Sequence, residues 1–312
     1  MSGRRYTVAF LAGDGVGPEL TAEATRALAA VAPLHGFEVE QVHAPFGAEA
    51  LSRHGQLVPA PTRQAVLEAD AVLVASRAEP ALRLLEADLD ERAAATRVRV
   101  GRDADVVVLR PLDDCSSAWT VERAFALACE RRAHVSVVTS NAAFRAQVEA
   151  AADEHPGVRV EQPRLSETVR ALALSPERFD VVLGDTAFGS ALAEVAAAED
   201  DERVVATGRL AEHGPSLFAP SHGRAAAIAG QGVANPSSML LALSLLLGEG
   251  LGERAAAETI GEAVAEALRG GVHTPDVHGE RAASGTRDFV DVVLGLFQVA
   301  TPNAEFARRV WA

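Results

Sequence analysis

The sequence contains no lysine: all 29 of its lysine-or-arginine positions are arginine. Any chemistry that needs an amine of tunable basicity must find its proton carrier elsewhere, because a guanidinium stays charged. Phenols are almost as scarce, with the single tyrosine Tyr6. Two cysteines, Cys115 and Cys129, are too few for a disulfide framework and read as reduced, partly buried thiols. No histidine lies near Cys115 in the sequence to activate it as a nucleophile. No apolar run reaches the length of a membrane span. The opening MSGRRYTVAFLAG has an apolar run too short for a secretory leader and patterned like a buried strand. A soluble cytoplasmic protein without a membrane partner is expected. The net charge of −14 and pI near 5.1 repel a phosphate backbone, so no nucleic-acid partner is expected either.

What is present is ample apolar material: 48% of 312 residues, enough for one large core or two. Short apolar runs bounded by turn residues (TVAFLAG, FEVEQVHA, AVLVAS, ADVVVLR, AHVSVVTS, VRVEQ, FDVVLGD) alternate with segments of helical periodicity. That alternation predicts an α/β fold with a mostly parallel sheet. The segment SSMLLALSLLLGE is apolar around its whole circumference, which predicts a buried helix ending near Gly248. ERAAAETIGEAVAEALRGG and TRDFVDVVLGLFQVA supply two further helices. Just before the apolar helix lies FAPSHGRAAAIAGQGVANP, Phe218 to Pro236, a glycine-bearing loop of the kind that holds a nucleotide.

Five stretches occur in one order: VAFLAGDGVGPEL, DVVVLRP, SPERFDVVLGDTAFG, HGRAAAIAGQGVANP and GTRDFVDVV. Together they resemble the isocitrate/isopropylmalate dehydrogenase family, the metal-dependent β-decarboxylating dehydrogenases, over nearly the whole chain. The resemblance implies a two-domain α/β subunit with a large, mostly parallel sheet flanked by helices. Residues 1–95 and 202–312 would form a discontinuous cofactor-type domain, and 96–201 a second, dimerising domain. It also implies oxidation of a 2-hydroxy acid by hydride transfer to NAD or NADP, followed by decarboxylation. Three aspartates hold a divalent metal, a lysine and a tyrosine move protons, and arginines pair with substrate carboxylates.

Carried over position by position, the chemistry is depleted. The lysine position is Ser140. The paired metal aspartates fall on Ser190 and Glu194, and the aspartate donated by the partner subunit falls on Ser166. With one carboxylate where three stood, no metal is expected, although Asp185 could add a second. The arm that carries the family tyrosine is deleted, since RPLDDCSSAWTVERAF passes almost directly into a helix. Arg110 matches a substrate-carboxylate arginine; Arg97 matches a second, with Arg83 or Arg99 as alternatives. Arg110, Asp185 and Glu194 are the residual catalytic candidates.

In the cofactor loop, His222, Gly223, Asn235 and Pro236 are retained, but the aspartate that selects NAD is Ala227, followed by Ile228. Losing that charge-assisted hydrogen bond costs on the order of 1.5–3 kcal/mol, so NAD binding is expected to be weakened. Arg77 and Arg224 bring new positive charge beside this loop. Three readings remain open. The first is a member without the family reaction, acting as a small-carboxylate or nucleotide binder, as a homodimer or in a hetero-oligomer with an intact family member. The second is a repurposed NAD(P)-linked oxidoreductase, and the third a conventional dehydrogenase.

Overall fold

The computed structural model describes residues 3–75, 79–101, 104–198, 203–278 and 284–300. The chain folds as two compact units, Met1–Leu89 with Pro215–Ala312, and Asp90–Gly214. The cuts lie at the outer ends of two strands, β4 and β9 below, whereas the sequence boundaries at 95/96 and 201/202 divide one of them.

The first unit begins with β1 (Arg4–Leu11), whose last four residues are fully buried. A loop follows in which Gly13 and Gly15 take positive φ (63° and 66°). Pro18 then sits in the first turn of α1 (Gly17–Leu34), where a missing N–H costs nothing. Leu20, Ala24, Ala27, Leu28 and Val31 form the buried stripe of α1, at helical spacing. The chain continues through β2 (Phe37–His43), α2 (Ala48–His54), α3 (Ala60–Glu68), β3 (Ala71–Val74) and α4 (Glu79–Glu86). Strand β1 pairs in parallel with both β2 and β3.

The second unit contains β4 (Glu91–Val100), β5 (Ala104–Pro111), α5 (Ser117–Cys129), β6 (His134–Val138) and α6 (Ala142–Glu154). It continues with β7 (Arg159–Glu161), α7 (Leu165–Leu174), β8 (Val181–Gly184), α8 (Gly189–Ala196) and β9 (Arg203–Ala211). Its strand order is β9-β4-β5-β8-β6-β7. The β9-β4-β5 portion is antiparallel, and the remainder is parallel. One sheet face presents Val98, Val106, Val108, Val182 and Val205 to Leu172 of α7 and to Leu192 and Ala196 of α8.

Strands β4 and β9 are absent from the runs read off the sequence. In β4 the reason is charge. Arg97 and Arg99 are buried, and Arg97 donates from Nε and Nη2 to Asp105 at 2.9 and 2.7 Å. Burial alone would raise the Asp105 carboxyl, but Arg97 and Arg131 outweigh it and hold the group far below the usual carboxylate range. Cys115 and Cys129 are both exposed rather than partly buried, one in the turn after β5 and the other at the last turn of α5.

The chain then returns to the first unit as β10 (Ser216–Pro220), parallel to β3, giving the order β2-β1-β3-β10. After the long loop come α9 (Ser237–Leu245), extended by one π turn over Leu246–Gly250, then α10 (Arg254–Arg269), α11 (Pro275–His278) and α12 (Thr286–Ala300). Every residue of α9 from Met239 to Leu245 is buried, as its all-round apolar pattern requires. The α/β expectation holds: the strands are mostly parallel, with helices against them. No helix among the described residues is long and apolar enough to cross a membrane.

Candidate functional site

Two regions carry the residues singled out above, one in each unit. In the second unit, Arg110 lies near the end of β5. Across the antiparallel register it faces Ala94 of β4, and Ala94 in turn faces Arg209 of β9. The two arginines therefore stand in one row on one sheet face, separated by a methyl group. A Cβ added to Gly189, at the start of α8, would run into the Arg110 side chain, so glycine is what lets the helix sit over the arginine stem. Burial lowers the pKa of the half-buried Arg110 guanidinium, neighbouring Arg209 lowers it further, and the exposed Glu194 of α8 opposes both. The result is a small positive ledge suited to an anion. Nothing in the sequence alone joins Arg209 to Arg110, because the link depends on the register of β4.

Asp185, just past β8, is buried, and both of its oxygens are engaged. Oδ1 accepts from the backbone N–H groups of Ala187 and Phe188 at 3.0 and 2.9 Å. Oδ2 accepts from the Thr139 hydroxyl at 2.6 Å and from the Ser140 N–H at 3.3 Å. The carboxylate thus ties the start of α8 to the loop after β6. Ser140, Ser166 and Ser190 are exposed, and each offers only a hydroxyl. Of the acids singled out here, Asp185 is committed to these hydrogen bonds and Glu194 presents an exposed carboxylate. Arg97, bound to Asp105, lies on the sheet face opposite to Arg110. After β5 the chain makes one short turn, capped by Asp113 accepting from Ser116 N–H at 2.8 Å, and enters α5 directly, without an arm. Tyr6 lies in the first unit, where its hydroxyl donates to Glu253 at 2.8 Å.

In the first unit, the loop after β10 is held largely by backbone. Val16 N–H donates to the Arg224 carbonyl at 2.9 Å, and Thr286 N–H to the Gly232 carbonyl at 2.8 Å. A Cβ on Gly15 would collide with the Arg224 carbonyl, so the glycine-rich turn after β1 and this loop are in direct backbone contact. Ala225, Gly230 and Gly232 all take positive φ. His222 Nδ1 donates to the Gly223 carbonyl at 3.0 Å, leaving Nε2 as a buried acceptor with no hydrogen-bond partner among the described residues. Burial depresses the His222 pKa, while the Gly223 carbonyl and Asp276 oppose the shift. Asn235 Oδ1 accepts from Ser237 N–H, at the start of α9, at 2.9 Å, while the Asn235 N–H donates to Asp276 at 2.8 Å. Ala227 and Gly223 are exposed, and Ile228 is half-buried. Arg77 lies outside the described residues.

A third group was missed in the sequence. Asp90, Glu212 and His213, at adjoining ends of β4 and β9, bring three potential metal-ligand atoms within 4.8 Å of one another. Arg92 lies among them, 3.0 Å from Asp90 and 3.1 Å from Glu212. Asp90 and Glu212 are far apart in sequence, and only strand pairing brings them together.

The isocitrate/isopropylmalate dehydrogenase family model matches residues 7–112 and 94–293. The 3-isopropylmalate dehydrogenase of Salinibacter ruber is 32% identical over 358 aligned positions, covering 97% of this chain and 96% of the relative. That of Pseudoalteromonas translucida is 30% identical over 339 positions, covering 89% and 95%. Both alignments exceed the 312 residues of this chain, so the relatives carry segments that it lacks. A β-decarboxylating dehydrogenase from Thermococcus kodakarensis shares the fold, with a TM-score of 0.78 at 24% identity over 94% of this chain and 96% of that one. Isocitrate dehydrogenase from Methylococcus capsulatus does so at 0.75 and 20% identity, over 94% and 99%.

The expectation of no metal is thereby corrected. The matched family is one of metal-dependent, NAD-linked dehydrogenases, and the structure offers a three-ligand group at Asp90, Glu212 and His213, away from the aligned positions where none was found. On the family match and the nearly full-length relatives, the chain belongs to the isocitrate/isopropylmalate dehydrogenase family.

Proposed function

We propose that this chain binds a small carboxylate at Arg110 and does not perform the family's oxidative decarboxylation through a lysine and a tyrosine. The observation that carries the reading is Ser140, which stands at the lysine position in a chain with no lysine to replace it. Its backbone N–H is tied to Asp185, so that carboxylate serves as a brace and not as a free base. General acid–base groups contribute about 10²–10⁴-fold each, so replacing both the lysine and the tyrosine removes most of the family rate. Arg110, half-buried beside a second guanidinium, supports recognition of an anion. Assembly as a homodimer is in keeping with the family, and pairing with an intact family member is the alternative arrangement.

A second reading, hydride transfer to a nicotinamide by other acids, is favoured by the retained loop and by the enclosed His222 acceptor. One assay separates the two. The protein is supplied with 3-isopropylmalate or isocitrate, NAD⁺ and Mn²⁺, and both NADH and CO₂ are followed. The first reading expects neither above background, whereas NADH without CO₂ supports the second.

A further inference from the structure

We infer that Cys129 is a reactive thiol that exchanges with small disulfides, with His155 as its proton acceptor and Glu122 holding the imidazole in place. The group is built by α5 and α6 of the second unit, and the inference is independent of the carboxylate reading of the Arg110 ledge.

Helix geometry assembles the group. Glu122, Phe125 and Cys129 occupy positions i, i+3 and i+7 of α5 and so share one face. Cys129 is exposed, whereas Phe125 is fully buried. Helix α6 packs against α5 and ends at His155, whose N–H donates to the Ala151 carbonyl at 3.0 Å. The imidazole stacks on the Phe125 ring, with centroids 5.7 Å apart and planes at 27°. Its Nδ1 lies 3.7 Å from Cys129 Sγ, and its Nε2 lies 3.7 Å from Glu122 Oε2. The hydrogen of the neutral ring therefore belongs on Nε2, toward the carboxylate, which leaves Nδ1 to accept from the thiol S–H. A nucleophile, a base within reach and a third group that orients the base are the parts of an activated thiol. Cys115 is exposed too, but no histidine is hydrogen-bonded to its sulfur among the described residues.

The helix ends make the thiol depend on this histidine. Helix α5 ends at Cys129 and α6 at Glu154, and neither carries a basic residue in its last turn. The carbonyls at such ends favour a positive charge and oppose a negative one. A ring that has taken the thiol proton meets that preference and offsets the field on the sulfur, whereas Cys129 without the ring faces the field alone. Glu122 and Cys129 are the ionisable groups in contact with the ring, and Asp153 and Glu154, beside it in the chain, are exposed. In the exchange, Cys129 passes its proton to His155 Nδ1 and its sulfur attacks one sulfur of the disulfide. A new S–S bond to the protein forms as the S–S bond of the reagent breaks, and the departing thiolate takes the proton from Nδ1. The protein thiol is oxidised and half of the disulfide is reduced, so no other oxidant is needed.

The test uses the full chain as two single-cysteine proteins, Cys115→Ser and Cys129→Ser, each treated with 2-hydroxyethyl disulfide, an uncharged probe. Mixed-disulfide formation is followed by the mass of the intact chain, and each variant is checked by circular dichroism. Cys115→Ser, which retains Cys129, should react about tenfold faster or more than Cys129→Ser. Adding His155→Ala to Cys115→Ser should slow the reaction by about tenfold or more, to the rate of Cys115 or below it. Free imidazole should restore part of that loss and leave the Cys115 rate unchanged. His155→Gln serves as the second variant if His155→Ala fails to fold. Equal rates for the two single-cysteine proteins would overturn the inference, as would a folded His155 variant that reacts like its parent. Slowing that imidazole does not relieve would overturn the role of His155 as proton acceptor.

Discussion

The loop at 218–236 in the first unit and the segment 185–194 in the second both carry residues singled out from the sequence, but they are held in different ways. The loop is fixed mainly by backbone: carbonyls of Arg224 and Gly232 accept from Val16 and Thr286, and glycines take the positive φ angles. Its side chains can change with little effect on its course, and Ala227 is exposed. The 185–194 segment depends on one side chain. Asp185 collects four donors from two loops, so the position of α8, and with it Ser190, Glu194 and Gly189 over Arg110, hangs on that carboxylate. Backbone-held sites lose specificity gradually as side chains drift, whereas a side-chain-held site is intact or lost.

Substitutions should expose that difference. The largest effect is expected for Asp185→Ala, which removes a buried carboxylate and the shared acceptor of four part-buried hydrogen bonds. A loss of about 3 kcal/mol is expected from hydrogen bonds to a charged acceptor, measured by urea unfolding. Asp185→Asn should fall between the two, because it retains one acceptor oxygen. If Asp185→Ala proved as stable as wild type, α8 would be held by something other than this clasp. Next comes Gly15→Ala, which meets both the positive φ and the Arg224 carbonyl; it should cost about 1–3 kcal/mol. Ala227→Asp, on the exposed side of the same loop, should leave the unfolding midpoint unchanged, which sharpens the contrast between backbone and side chain. Asn235→Ala removes the acceptor of Ser237 N–H at the start of α9 and should cost about 1 kcal/mol.

The smallest effect is the pH response of His222. Its folded pKa lies below the unfolded value near 6.5, so the unfolded chain binds more protons in the window beneath that value. The contribution is complete above about pH 6.5 and declines as pH falls until the folded pKa is passed. Urea midpoints at pH 7.5 and 5.5 should therefore separate more for wild type than for His222→Gln. Equal separation would mean that the ring is not held neutral by burial.

Much of the fold was legible because its parallel strands are short apolar runs and α9 is apolar on every side. Strands β4 and β9 were not, since β4 buries Arg97 and Arg99 against Asp105 and so does not look like a core strand. The short β10 was read as the opening of the loop that follows it. At the site, the residue types at Ser140, Ser166, Ser190 and Ala227 were visible from order alone. What Asp185 does was not, because an acid at a strand end looks the same whether it braces a loop or faces a cleft. Arg209 and the Asp90–Glu212–His213 group needed the antiparallel register, which joins residues from distant parts of the chain.

The central claim is that this member recognises a carboxylate without the family's lysine-and-tyrosine chemistry. The most direct test follows NADH and CO₂ from 3-isopropylmalate and from isocitrate with saturating NAD⁺ and Mn²⁺, using protein whose carboxylate binding has been established calorimetrically. Binding without formation of either product is the expected result. Turnover of either acid to NADH and CO₂ that is lost in Arg110→Met would contradict the claim and make the chain a conventional dehydrogenase working through other residues.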